Sequence, residues 1–298
     1  MGHRIVEIGS AAFLRKSLDR LEIRRNGELL DSIPFEDLAV VLLDGDGIAL
    51  TADVLAAFSQ AGAVCAVSDE RHLPCLLCLP YENNARHART VQQQAACSEA
   101  KRNGIWRQIV RAKIREQALA VEVDGNPRGA TTLRQMADRV KSGDPDNVEA
   151  QAAILYFDLF FGPGFYRDRA APGMNAMLNY SYAVLRAMMA RALVGAGLHP
   201  ALGIHHHAAY NAFNLADDAM EPLRPMADLG VVEVSEQFPA ARELTPEIKK
   251  SLLQITVLPV RFAGNTLPIL TALERYAATL REVICGAKRR LETPGLSR

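Results

Sequence analysis

Cysteine is scarce and odd in number, with Cys65, Cys75, Cys78, Cys97 and Cys285 the only five in 298 residues. That excludes the disulfide framework of a small secreted domain and leaves reduced thiols. Cys75-Leu76-Leu77-Cys78 has CxxC spacing, but a structural zinc site needs a second ligand pair and only the lone Cys97 follows. The expectation is buried thiols packed as small hydrophobes. A charge surplus is also missing: 34 Lys+Arg balance 34 Asp+Glu, so any nucleic-acid surface must be a local patch. No run approaches the ~18 uninterrupted apolar residues of a membrane span. The start, Met1-Gly2-His3-Arg4-Ile5, carries no apolar signal core, so a cytoplasmic protein with no membrane partner is expected. Repeats at a 20–50-residue period are absent as well.

What is present is a globular composition, 49% hydrophobic and 23% charged, long enough for two ordinary domains. The neutral average hides an uneven profile. Residues 1–82 carry thirteen acidic and seven basic residues, whereas residues 86–115 carry eight basic (Arg86, Arg89, Lys101, Arg102, Arg107, Arg111, Lys113, Arg115) and one acidic, Glu99. Arg107, Arg111 and Arg115 recur every four residues and so form a ridge along one helical face, suited to a phosphate backbone. A solvated helix face is the plainer alternative.

The pattern also changes style. Up to about Asp69, short Val/Ile/Leu runs alternate with turn residues: Arg4–Ile8, Leu21–Arg24 before a hairpin Asn26-Gly27, Leu38–Leu43, and Ala63–Val67, with one helix near Thr51–Ala61. Beyond Asn83 long 3.6-residue periodicities take over. The fold class predicted is α+β: a small β-rich domain over 1–82, a polar linker over 83–95, and a larger all-α domain over 96–298.

Three stretches of the helical half concentrate polar groups. In Gly143-Asp144-Pro145-Asp146-Asn147-Val148-Glu149-Ala150, Asp144 can cap and Pro145 can open a helix, placing Glu149 in its early turns. Leu202-Gly203-Ile204-His205-His206-His207 packs three consecutive histidines, which cannot all face one way, so at least one is free for ligation or proton transfer. In Asp217-Asp218-Ala219-Met220-Glu221-Pro222, carboxylates three and four apart share a helix face. With no interleaved Lys they repel, and a cation is needed to neutralise them. Glu149, one histidine and Glu221 together make a mixed oxygen/nitrogen set that suits Mg²⁺ or Mn²⁺ better than zinc and points at phosphodiester chemistry.

At these residues the sequence resembles a known family, the CRISPR-associated endonuclease/integrase of spacer acquisition, in the form found in systems with a single large RNA-guided effector nuclease. The resemblance covers most of the chain and is dense from Gly143 to Asp228, including Met177-Leu178-Asn179-Tyr180-Ser181-Tyr182-Ala183 and the run from Leu202 to Pro222. It implies a metal triad of Glu149, His206 and Glu221. Metal ligands need supporting groups, and His205, His207 and Asp218 are the candidates, with a purely structural place the alternative for the two histidines. The resemblance implies strand transfer of spacer DNA into a CRISPR array, on double-stranded prespacer and repeat DNA. An N-terminal β-sandwich, a homodimer formed through it, and a heterohexamer with a small adaptation partner are implied too. Ser181 departs from the usual glycine between two tyrosines, and its Cβ is expected to crowd a close helix approach. Two other readings compete: a catalytically silent DNA-binding scaffold of the same fold, and a small-molecule phosphoesterase, which leaves the arginine ridge unexplained.

Overall fold

The computed structural model describes residues 2–69, 74–80 and 84–297. Its first third is built from β1 (Arg4–Ile8), β2 (Ala12–Ser17), β3 (Arg20–Arg25), β4 (Glu28–Pro34), β5 (Leu38–Leu43), β6 (Ile48–Leu50), α1 (Ala52–Ala61), β7 (Val64–Ser68) and β8 (Pro74–Cys78). The order β4-β3-β2-β6 makes one sheet and β1-β5-β7-β8 the other. Asn26 and Gly27 both take positive φ, which is the backbone a two-residue hairpin between β3 and β4 requires. Leu14, Leu21 and Ile33 of the first sheet meet Leu38, Val41 and Cys65 of the second, with Val54 and Phe58 of α1, in one apolar core.

The second sheet is covered on both faces. All six residues of β5 are buried. Val41 and Leu43 join the sandwich core, while Val40 and Leu42 join the core of the helical part. A strand buried on both sides reads as a continuous apolar run, which is why Leu38–Leu43 shows no alternation. The two parts are therefore packed across a shared sheet, and a buried ion pair, Lys249 Nζ to Asp44 Oδ2 at 2.5 Å, ties them together.

The helical part comprises α2 (His87–Ala95), α3 (Glu99–Val123), α4 (Pro127–Arg139), α5 (Val148–Phe161), α6 (Met174–Gly195), α7 (Asn214–Met220), α8 (Arg224–Gln237), α9 (Pro246–Leu252) and α10 (Ile269–Ile284). Ser98 caps α3 by accepting from the Lys101 N–H. α3 then runs through the centre with Ile105, Trp106, Ile109, Val110 and Ile114 buried. α6 packs on the second sheet, α8 and α10. Ser181 lies buried inside α6, so its extra atoms are accommodated.

Three features add detail to the expectations. Within the expected linker, α2 spans His87–Ala95, and residue 83, where that linker begins, lies outside the described residues. The helical half is not purely α: β9 (Pro259–Phe262), β10 (Asn265–Pro268) and β11 (Gly295–Leu296) form a small sheet in the order β10-β9-β11. Its hairpin turns on Ala263-Gly264, both at positive φ, and alanine is not a residue that announces such a turn. Finally, only Cys65 and Cys97 are buried, whereas Cys75 is exposed and Cys78 half-buried. Among the described residues no helix is long and apolar enough to cross a membrane.

Candidate active site

Glu149 is set by the turn before α5. The helix begins at Val148, not at Pro145, because Asn147 turns left-handed at φ 50°. Asp144 still does the capping from a distance. Its Oδ1 accepts from the Val148 N–H and its Oδ2 from the Glu149 N–H, each at 2.9 Å, satisfying two of the donors a helix start leaves open. The Glu149 side chain is thereby held at the second position of α5.

The histidine run is shaped by one buried carboxylate. Asp218, on α7, accepts from three successive backbone N–H groups: Ile204 at 2.6 Å, His205 at 2.9 Å and His206 at 3.2 Å. The same carboxylate lies 2.5 Å from His206 Nδ1. Gly203 is needed for this doubling back, since a Cβ there would stand 2.1 Å from the His206 carbonyl oxygen. Gln94 of α2 braces the loop from behind, accepting from the His199 N–H and donating to the His199 and Leu202 carbonyls. The three histidines then part company. His206 faces a cleft of about 580 Å³, His207 lines a separate cleft of about 500 Å³, and the His205 ring stacks on Trp106 with centroids 4.3 Å apart.

Glu221, in the 3-10 turn Glu221–Leu223 between α7 and α8, also lines the His206 cleft. Glu149 Oε1 and Glu221 Oε2 converge on a single cation: each lies 2.6 Å from Lys113 Nζ on α3. Arg224 Nε reaches the other Glu221 oxygen at 2.8 Å. Burial alone would raise the Glu221 carboxyl, but Arg224 and Lys113 outweigh it and hold it down at about 2. Lys113 is stabilised in return: burial works against its charge, but Glu221 and Glu149 prevail and its value rises. His206 also rises, first through its hydrogen bond to Asp218, against the cost of burial and with help from the charge of Glu221.

The acidic run is thus neutralised by protein groups, contrary to the expectation that it lacks cations. Asp217 is paired with Arg186 at 2.7 Å and accepts from Asn211, Asp218 has its backbone donors, and Glu221 has Lys113 and Arg224. Among the described residues no three His, Cys, Asp or Glu side chains stand gathered as an ion-holding group. The donors nonetheless fit a hard divalent ion. Two carboxylates reach the same Lys113 ammonium, Glu221 Oε2 is buried without a hydrogen bond of good geometry although Lys113 is near, and His206 leaves Nε2 free of the carboxylate that holds Nδ1.

Sequence reasoning missed the cations of this cleft. Lys113 counts by sequence with the basic segment, yet its side chain turns inward, at 10% exposure. Arg167, Arg169, Arg186 and Arg224 line the cleft. Tyr182 lies under Arg224, 4.5 Å from ring centroid to guanidinium, and with Tyr156 donates to the buried Asp228. Burial pushes the Asp228 carboxyl up to about 6 even against those two donors. The i, i+3 spacing of Glu221 and Arg224 was the one available signal.

The Arg107, Arg111 and Arg115 ridge lies on the opposite side of α3. Arg111 and Arg115 line another cleft, of about 1070 Å³, which Arg134, Arg261 and Arg290 also border, while Arg107 is exposed outside it. Asp138 of α4 bridges Arg111 at 2.8 Å and Arg115 at 3.0 Å, so the ridge is partly neutralised. The structure does not bring it to His206 and Glu221.

Residues 6–238 match the family model described as CRISPR associated protein Cas1, a span that contains Glu149, His206 and Glu221. The CRISPR-associated endonuclease Cas1 of Neisseria meningitidis serogroup C is 41% identical over 263 residues, covering 88% of this chain and 86% of its own. A casposase bound to integration product superposes with a TM-score of 0.80 at 19% identity, over 97% of this chain and 92% of that one. A Cas6-RT-Cas1–Cas2 complex gives 0.76 at 17% identity, over 96% of this chain and 35% of the larger one. The chain belongs to the Cas1 family of CRISPR-associated endonucleases.

Proposed function

We propose that this protein is a metal-dependent DNA endonuclease and integrase that inserts spacer DNA into a CRISPR array by strand transfer. The observation that carries the reading is the convergence of Glu149 and Glu221 on Lys113, where Lys113 and Glu221 line, with His206, a cleft bordered by arginines. Mg²⁺ or Mn²⁺ held by Glu149, His206 and Glu221 would polarise the phosphodiester and stabilise the leaving oxygen. In the reaction a DNA 3′-hydroxyl attacks phosphorus in the repeat; one P–O bond forms and another breaks. Arg169, Arg186 and Arg224 supply charge for the phosphate oxygens as negative charge builds there. Asp218 fixes the His206 ring, and Asp228 with Tyr182 fixes the plane under Arg224.

The 1–82, 83–95 and 96–298 division is kept as a functional one, the first part dimerising and the last catalytic. The first sheet supports this, because Phe13, Leu29 and Leu30 are exposed on its strands and Leu18 in the turn between β2 and β3. The casposase with its integration product and the Cas1–Cas2 assembly support double-stranded prespacer and repeat DNA as substrates, and a heterohexamer of two homodimers with a small adaptation partner. The Arg107/Arg111/Arg115 side of α3 serves as a second DNA contact. With CRISPR DNA as its substrate, the protein works in the cytoplasm. The test is a strand-transfer assay on branched and linear DNA with Mn²⁺ or with EDTA. Product that requires the metal and a free 3′-hydroxyl supports the reading, and equal product in EDTA refutes it.

A further inference from the structure

We propose that Lys113 is the resident counter-ion of the Glu149/Glu221 pair, and that a divalent cation loads only by displacing it towards Gln117. The proposal rests on Glu149, His206 and Glu221 being metal ligands. Lys113 Nζ lies 2.6 Å from both carboxylates, inside the space that an ion bound at about 2.0–2.2 Å from each oxygen must occupy. Ammonium and metal therefore exclude one another. Without the ammonium, Glu149 would lose its cation and the buried Glu221 would keep Arg224 alone, so Lys113 stabilises the metal-free site.

A second observation gives the displaced side chain a place to go. Gln117 is one helical turn beyond Lys113 on the same face of α3, it lines the same cleft, and its buried Oε1 has no hydrogen-bond partner among the described residues. Helical side chains lean towards the N-terminus, so Gln117 leans over Lys113. An acceptor left open beside a lysine that must move lowers the cost of moving it.

A site whose binding-competent form is a minor population binds with an affinity reduced by that population. Removing the competitor should therefore tighten metal binding even though it destabilises the empty protein. The experiment is calorimetric titration of the full chain with Mn²⁺, paired with thermal melting in EDTA. Lys113→Met should bind Mn²⁺ at least about tenfold more tightly than wild type, and melt lower in EDTA with recovery on adding Mn²⁺. Lys113→Arg, which keeps the charge, should not gain affinity. Gln117→Leu should weaken Mn²⁺ binding when Lys113 is present and change nothing in the Lys113→Met background, the non-additivity expected of coupled residues. If Lys113→Met is too unstable to titrate, Lys113→Gln takes its place. Unchanged or weaker binding in the uncharged variants overturns the proposal, leaving Lys113 a residue that merely orients the carboxylates. Absence of saturable Mn²⁺ binding in wild type and variants alike, or binding indifferent to Glu221→Gln, overturns the metal reading itself and the proposal with it.

Discussion

The two sides of α3 carry the same kind of residue to different ends. On one side Lys113 is buried against Glu149 and Glu221, with side-chain exposures of 10%, 24% and 5%. On the other, Arg111 and Arg115 share Asp138, at 33%, 55% and 64%. The ion-pair distances are alike, and only the solvent differs. A buried pair cannot lose one partner without stranding the other, whereas an exposed pair is replaced by water at little cost. Spacing along the helix made the exposed side conspicuous, while the buried side is marked by a single lysine.

The sharpest way to break this comparison is to remove one carboxylate from each side. Glu221→Ala leaves Arg224 buried without its acceptor and Lys113 with Glu149 alone, and should cost about 3–5 kcal/mol in urea unfolding of the metal-free protein. This reverses the sequence-based expectation that losing an acid would relieve repulsion. Asp138→Ala should unfold with wild type. Comparable losses in the two variants would erase the distinction.

Next in size is the division of labour in the histidine run. His206→Gln keeps much of the volume but removes the imidazole, and should lower strand transfer by at least the ~10²-fold typical of losing a close partner of a metal site, with DNA affinity unchanged. His205→Gln loses only its stack on Trp106, and His207→Gln a wall of a different cleft, so both should cost less. A larger loss at His205 would mean the Gly-x-x-His alignment is off by one residue.

A half-buried carboxylate elsewhere, Glu7, sharpens the contrast, because Lys249 is the one cation among the described residues that acts on it. Burial raises Glu7 to about 7, opposed by Lys249 and reinforced by Asp44. Its folded value lies above its unfolded value, so between about 4.5 and 7 the folded state holds a proton that the unfolded state has lost. Its contribution to stability is complete below about 4.5 and disappears as pH rises through 7. Unfolding free energy measured from pH 5 to pH 8 should fall, and Glu7→Gln should flatten that fall. An unchanged profile would show that Glu7 does not couple the sheet to the helices in this way.

The smallest effect belongs to the ridge. Changing Arg107, Arg111 and Arg115 together to Ala should make the fall of log K with log salt shallower by roughly 0.9 for each phosphate no longer neutralised, equally for all DNA sequences. Because Asp138 already engages two of the three arginines, the change should fall short of that for three phosphates. No change at all would return the ridge to being a solvated face and direct attention to Lys288-Arg289-Arg290.

Much of the fold was legible where chemistry is local. Asn26-Gly27 announced its hairpin, Leu38–Leu43 its buried strand, and the change beyond residue 83 its helices, because turn residues and apolar period act within a few residues. What was illegible depended on distant partners. Lys113 reads as one more cation of a basic segment, and only the approach of α5 and α7 to α3 turns it inward. Asp218 reads as a member of an acidic patch, and only the fold-back of the histidine loop gives it four nitrogen partners. Glu149, His206 and Glu221 stand out through residue chemistry and resemblance together. The resemblance selects His206 from its neighbours, a choice consistent with His206 alone of the three both lining the Glu221 cleft and holding Nδ1 on Asp218. The β9–β10 hairpin escaped notice because Ala263 adopts a backbone that its side chain does not advertise.

The central claim is that Glu149, His206 and Glu221 hold a divalent metal for strand transfer, and Glu149→Gln tests it most directly. Glu149 is the more exposed of the two carboxylates on Lys113, so its neutral isostere should preserve the fold. Strand transfer of a 3′-hydroxyl duplex into repeat DNA should be measured with wild type and Glu149→Gln, in Mn²⁺ and in EDTA, with melting curves alongside. The account predicts product only for wild type in Mn²⁺, from two proteins that melt alike. Product from Glu149→Gln in Mn²⁺ at the wild-type rate, or from wild type in EDTA, would contradict it.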